Sequence, residues 1–158
     1  MLKTITLGST NLTVTATAFG ALPIQRISQA DAVVLLRKAY NAGVNFFDTA
    51  RAYSDSELKL GEAFDGIREN IVIATKTGAR TPEAFWRDLE QSLKNLRTDY
   101  IDIYQFHNPA FCPKPGDESG LYDAALEAKE KGKIRHIGIT NHRLSVANEA
   151  IDSGIYET

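Results

Sequence analysis

The sequence is poor in the features that mark secreted, metal-binding or membrane proteins. Its 158 residues include one cysteine, Cys112, and one tryptophan, Trp86. A lone cysteine cannot close an internal disulfide, which excludes a disulfide-stapled fold and fits a reducing, cytoplasmic setting. No apolar run is long enough to span a bilayer. The opening stretch, Met1 to Val14, alternates polar and apolar residues and lacks the continuous apolar core of a signal peptide. The formal net charge of -2 argues against a nucleic-acid or membrane-surface partner. No metal-ligand spacing, phosphate-binding loop or nucleophile triad is present, so no metal is expected. What remains, 43% hydrophobic and 24% charged residues, describes a globular chain able to bury one sizeable core.

Turn and periodicity signals then order the chain. Lys3 to Leu7 and Leu12 to Ala16 read as strands around the turn Gly8-Ser9-Thr10-Asn11, which predicts a β-hairpin within residues 1–16. Thr17 to Phe19 reads as a third strand, and Pro23 keeps the following segment irregular. From there helix and strand alternate. A helix over Gln29 to Asn41, with Ser28 as N-cap, Asp31 in the capping-box position and Gly43 at its end, precedes strand Val44 to Phe47. Helix Ser56 to Phe64 precedes strand Ile71 to Ala74. Helix Pro82 to Leu96, capped by Thr81, precedes strand Tyr100 to Gln105. A proline-rich loop follows, then helix Gly120 to Lys131, strand Ile134 to Ile139, helix Leu144 to Asp152 and, over Ile155 to Thr158, the start of one more strand. Short strands apolar on both faces, alternating with helices, predict a parallel sheet, either doubly wound or closed as a barrel. The first strand-to-helix turn, Phe19-Gly20-Ala21-Leu22-Pro23, lacks the Gly-x-Gly-x-x-Gly spacing of the doubly wound dinucleotide fold, which favours the barrel.

Polar residues end the strands: Asp48, Lys76, His107 and Thr140-Asn141, spaced about 30 residues apart, the length of one βα unit. In a (β/α)8 barrel such positions converge on one mouth. For any single position a turn or cap is the plainer explanation; four in succession are harder to read that way. Their types suit one chemistry. A tyrosine hydroxyl, with a pKa near ~10, is a poor acid at neutrality, and a nearby ammonium lowers that value. Lys76 is expected to act so on Tyr53, with Asp48 holding Lys76 charged and oriented. An Asp48–Lys76 pair is equally the kind of ion pair that serves only the fold. His107 would hydrogen-bond the substrate oxygen or share the proton transfer. The hydride must then come from a cofactor, since no side chain donates one. Asn141 offers both a donor and an acceptor to a carboxamide such as that of nicotinamide.

The run Asn45-Phe46-Phe47-Asp48-Thr49-Ala50, followed by Tyr53 and Ser56-Glu57-Leu58-Lys59-Leu60-Gly61, resembles the aldo-keto reductase family. So do Ala74-Thr75-Lys76, the stretch from Leu89 to Asp102, and Ile137-Gly138-Ile139-Thr140-Asn141-His142. The resemblance covers essentially the whole chain. It implies a parallel (β/α)8 barrel of the TIM type with only about five βα units in this α/β chain, the N-terminal hairpin closing the bottom. It implies NADPH- or NADH-dependent reduction of an aldehyde or ketone, with Asp48, Tyr53, Lys76 and His107 as catalytic tetrad and Tyr53 as general acid. Gly20, Ala21 and Asp48 would lie by the cofactor, and Thr140 and Asn141 match the pair that holds the nicotinamide amide. The stretches Gln105 to Pro109 and Phe111 to Gly116 look closest to members from anaerobes, some of which carry a later iron–sulfur segment.

Several positions stand apart. Ser54 and Asp55 replace the glycine that follows the tyrosine in many members. Arg51, between Asp48 and Tyr53, would favour an anionic substrate if it reached the mouth; a solvated loop arginine is the simpler expectation. His136 and His142 read as structural or surface residues, Cys112 as a free loop thiol, Trp86 as packing, and Lys129-Glu130-Lys131-Gly132-Lys133 as a solvated helix end. A complete barrel takes about 250 residues. The expectation is therefore a site with its tetrad but not its whole cofactor cleft, its inner face covered by a further segment, a second copy or a partner. The competing function is a non-catalytic nucleotide-sensing or oligomerising half-barrel, a role that potassium-channel β-subunits of this family illustrate.

Overall fold

The computed structural model describes Leu2 to Thr158. Strands β1 (Thr4–Thr6) and β2 (Thr13–Thr15) form the antiparallel hairpin. Five parallel strands follow in the order of the sequence: β3 (Phe19–Gly20), β4 (Phe46–Asp48), β5 (Val72–Thr77), β6 (Ile101–His107) and β7 (Ile134–Thr140). Between and after them lie α1 (Gln29–Asn41), α2 (Ser56–Ala63), α3 (Pro82–Leu96), α4 (Leu121–Glu130) and α5 (Leu144–Ser153). The fold is thus α/β, a partial parallel barrel of about five βα units.

Helix ends follow their local chemistry. The Ser28 hydroxyl accepts from the Asp31 amide at 3.1 Å and donates to the Asp31 carboxylate at 2.7 Å, so this short acid does reach the cap. Thr81 caps α3 through the Ala84 amide, with Pro82 in the first turn. Gly43, at φ +100°, turns the chain out of α1 in a conformation that side chains disfavour. The segment after Pro23 is not irregular but a single 3-10 turn, Pro23–Arg26.

Strand alternation sorts the side chains into two layers. Phe47, Ile73, Tyr104, Phe106 and Ile137 point to the helices and form the main core with Leu36, Leu60, Phe85 and Leu89. Phe47 and Phe64 stack with ring centroids 4.5 Å apart. The opposite parity faces the barrel interior. Its lower part is apolar: Phe46, Val72, Ala74 and Ile103 pack against Leu7, Leu12 and Val14 of the hairpin, which therefore plugs the bottom. Its upper part, two residues further along each strand, is Asp48, Lys76 and Gln105, with His107 beyond.

All five parallel strands run further than predicted, β3 to Gly20 and β4 to Asp48 by one residue each. β5 continues through Lys76 to Thr77, β6 through His107, and β7 through Thr140. Backbone pairing is indifferent to side-chain polarity, so the ladder persists where the inner-face residues become polar. Ile155 to Thr158 does not form the predicted strand, although the Glu157 amide donates to the Ile137 carbonyl and the Ile139 amide to that of Thr158. Helix α2 meets α3 closely: a Cβ on Gly61 would stand 2.1 Å from the Asn95 carbonyl oxygen.

Candidate active site

The strand ends bring three polar side chains together. The Lys76 ammonium donates to Asp48 Oδ1 at 2.6 Å and to the Thr49 carbonyl at 2.7 Å. Lys76 is buried, whereas the Asp48 side chain keeps 35% of its surface exposed, so the pair sits at the mouth and not in the core. The Lys76 nitrogen lies 5.4 Å from the centre of the Tyr53 ring, on its face. Tyr53 and His107 meet edge to face, ring centroids 5.8 Å apart. Tyr53 is carried by the turn after β4, which is pinned by backbone bonds from Thr49 to Ala74 and from Arg51 to Lys76.

Electrostatics depart from expectation at one point. The Tyr53 hydroxyl is held above its ordinary pKa, first by burial and then by the Asp48 carboxylate. The expected lowering by Lys76 is absent. The ammonium faces the ring and is already engaged by Asp48 and Thr49, so the phenolate form gains little from it in this state. His107 is shifted the other way, below its ordinary value, by burial, with Lys76 as the next cause and the opposing Asp48 carboxylate only a partial offset. At neutral pH Tyr53 is a phenol and His107 a neutral imidazole.

Arg51 does not reach the mouth, nor is it free in solvent. Its guanidinium donates to Glu57 Oε2 at 2.9 Å, and Glu57 is fully buried, accepting also from Thr75 Oγ1 at 2.8 Å and Asn95 Nδ2 at 3.0 Å. Buried carboxylates are held by such donors, and this one draws Arg51 toward α2. Thr140 pairs with His107 across β6 and β7. Asn141 donates to the Pro109 carbonyl at 2.7 Å and accepts from the Arg143 amide at 2.8 Å, so its amide group is oriented by the loops. Gly20 pairs with Asp48, and the Ala21 amide donates to the Asp48 carbonyl at 2.8 Å.

Other positions resolve as follows. Cys112 is not a loop thiol in solvent: it is buried with Val146 and Ala150 under α5, and that burial raises its pKa. His136 is bound to Glu157 at 2.7 Å, and His142 is exposed. Trp86 packs on the core beneath Lys131, whose nitrogen is 4.8 Å from a ring centre. Lys129, Lys131 and Lys133 each meet a carboxylate, on Glu157, Glu127 and Glu90. No cluster of potential metal ligands occurs among the described residues. No helix among them is long and apolar enough to cross a membrane.

Two features escaped sequence reasoning. Gln105 is level with Lys76 on the inner face, and its Oε1 is buried without a hydrogen-bond partner. Strand parity, extended two residues past Ile103, would have placed it there. Beside His107, a cavity of about 300 Å³ lies between the turn after β5 and the loop after β6.

Comparison with known proteins agrees with this architecture. The sequence matches the Aldo/keto reductase family over residues 4–157. It is 34% identical over 162 residues to an L-galactose dehydrogenase of Arabidopsis thaliana, covering 92% of this chain and 50% of that protein. An aldo-keto reductase of Bacillus halodurans, solved in its holo form, superposes with a TM-score of 0.85 at 29% identity, over 96% of this chain and 54% of that one. An aldo-keto reductase of Klebsiella pneumoniae in complex with NADPH does so with a TM-score of 0.80 at 28% identity, over 94% of this chain and 52% of that one. This chain therefore spans about half the length of these relatives. With the sheet order, the hairpin plug and the family match in agreement, the chain belongs to the aldo/keto reductase family.

Proposed function

We propose that this chain carries the proton-donating part of an NAD(P)H-dependent carbonyl reductase site. The observation that supports it most is the Lys76 ammonium, fixed between Asp48 and the Thr49 carbonyl and set against the face of Tyr53, which in turn contacts His107. A fold needs no such convergence of four polar side chains at one mouth. Tyr53, protonated at neutral pH, gives its proton to the carbonyl oxygen of an aldehyde or ketone as negative charge develops there. The neutral His107 has one N–H to orient that oxygen. Lys76 stabilises the phenolate that the transfer leaves behind, and Asp48 keeps Lys76 in place.

The remaining polar groups suit a nicotinamide. The unpartnered Gln105 Oε1 is a buried acceptor on the inner face. The Asn141 amide keeps one N–H and one lone pair beyond its loop contacts. The space over Gly20, beside Asp48, is open. Gln105, Asn141, Thr140 and the Gly20-Ala21 turn would hold the nicotinamide end of NADPH or NADH, which when bound supplies hydride to the carbonyl carbon.

The test is turnover of small aldehydes by the full chain with each cofactor, and cofactor binding by fluorescence, in the wild type and Tyr53→Phe. Losing the general acid should lower kcat by roughly 10²- to 10⁴-fold while leaving cofactor affinity unchanged. Undiminished turnover by Tyr53→Phe refutes the assignment. Nucleotide binding with no turnover by the wild type favours a sensing module instead.

A further inference from the structure

The cavity beside His107 has a charge pattern that proton transfer does not need. Arg80, from the turn after β5, and Arg143, just before α5, both line it. Arg51, Arg68, Arg97 and Arg135 each lie on a carboxylate; Arg80 and Arg143, like Arg26, Arg37 and Arg87, form no ion pair among the described residues, but of these five only Arg80 and Arg143 line a common cavity. The one side-chain hydrogen bond of Arg143 is a long one, 3.4 Å, to the Pro109 carbonyl, which leaves most of its five N–H donors free. No aspartate or glutamate lines the cavity. Two solvent-exposed arginines without an ion pair, lining one concavity, raise the positive potential there. Phe106 and Leu121, both buried, give the same cavity an apolar wall.

We infer that this cavity is an anion-binding subsite, in which Arg80 and Arg143 hold a carboxylate or phosphate on a substrate whose carbonyl lies at Tyr53 and His107. The inference builds on the proposed reductase site and supplies its substrate class. At about 300 Å³ the cavity stands at the small end of ligand sites, so the molecule is short: a carbonyl, a few carbons on the apolar wall and one anionic group. Guanidinium forks match both carboxylate and phosphate geometry. The role that sequence position suggested for Arg51 thus passes to two arginines outside the family-like motifs.

Two arms test this on the full chain. In the first, calorimetry measures binding of butanedioate and of methyl phosphate, neither of which can be reduced, to the wild type, Arg80→Ala, Arg143→Ala, the double variant and the exposed control Arg87→Ala. The relative affinity of the two anions distinguishes a carboxylate from a phosphate site. Each single substitution should weaken the preferred anion about tenfold, as expected for a charge-assisted hydrogen bond in a partly exposed site. Arg87→Ala should change nothing, and wild-type binding should weaken with rising salt. In the second arm, with NADPH or NADH, the KM for 4-oxobutanoate should rise by a similar factor in each variant while that for butanal stays constant. Undiminished anion binding by the double variant, or equal effects on both aldehydes, overturns the subsite. If neither aldehyde is reduced, the reductase reading fails and the binding arm still decides the subsite alone.

Discussion

Arg51 offers the sharpest test of how this site is assembled, because position and structure assign it different work. If it is a clamp on Glu57, its loss destabilises the chain and leaves substrate preference unchanged. Glu57 is fully buried and receives one bond each from Arg51, Thr75 and Asn95; the Arg51 side chain is 29% exposed. Removing Arg51 leaves a buried carboxylate with two neutral donors. A hydrogen bond to a charged group contributes about 1.5–3 kcal/mol, and partial exposure places Arg51→Ala near 2 kcal/mol. Glu57→Gln should cost more, about 3–4 kcal/mol, because it leaves the Arg51 charge half-buried and turns an amide N–H toward the donors of Asn95 or Arg51. The double variant should lose less than the sum, with a coupling of about 1–2 kcal/mol. Urea denaturation of the four proteins measures all three quantities. Losses below about 0.5 kcal/mol for Arg51→Ala, the range typical of surface changes, would refute the clamp. So would a loss confined to the reduction of anionic aldehydes, which would return Arg51 to the mouth.

The other predictions concern titration and packing. His107 should titrate below its ordinary value by NMR, because burial and then Lys76 oppose its charging; Lys76→Met should raise the midpoint part of the way, and an unchanged midpoint would separate the two residues. Tyr53, Tyr104, Tyr122 and Tyr156 all hold their protons above the ordinary tyrosine value, each chiefly through burial. The folded state then binds more protons than the unfolded one as pH rises through about 10, so stability, full below that pH, should fall above it; a flat profile from pH 9 to 11 by denaturation would contradict this. Gly61→Ala should cost about 3 kcal/mol or more by the same assay, since its methyl group meets the backbone of α3 and neither helix can yield cheaply.

Local signals carried the elements and failed where distant residues decide. Helix α3 matches its predicted bounds, Pro82 to Leu96, because cap, first-turn proline and apolar period agree within the segment itself. The hairpin and the strand order were legible for similar reasons. The lengths of β5, β6 and β7 were not, since apolarity stops two residues or so before the ladder does. Glu57, Lys59 and Asp102 look like surface residues in sequence, yet all are buried. Lys59 donates to the carbonyls of Ile24 and Ile27, and Asp102 holds Arg68, Arg135 and the Ile73 amide, partners about 30 residues away. Cys112 went the same way: the prolines around it suggest an open loop, and α5, which follows much later, covers it. At the site, Asp48, Lys76 and His107 come together because strand parity and βα spacing place them on one inner face, and the turn after β4 brings Tyr53 to them. Ser54 sits at φ +38°, a conformation that side chains disfavour, and keeps that turn all the same.

The raised pKa of Tyr53 bears on how Lys76 would act in the proposed reaction. With its pKa raised, Tyr53 is a phenol at rest and has its proton to give, but as an acid it is weaker than free tyrosine, so help from Lys76 has to come during the transfer. Here burial and Asp48 keep the phenol intact, and Lys76 is spoken for by Asp48 and the Thr49 carbonyl. Only when the proton leaves does a full negative charge appear on Tyr53, beside an ammonium that the strand ends already hold in place. An interaction stronger in the transition state than in the resting state is the kind that accelerates a step, and here it requires the ammonium to turn a donor from the ring face toward the phenolate oxygen as the proton leaves. On this account Asp48 has two opposed effects, raising the Tyr53 pKa directly and positioning the cation that later offsets it. Asp48→Asn should therefore lower the resting pKa of Tyr53 and yet slow the proton transfer, a combination that a simple pKa-tuning role for Lys76 does not produce.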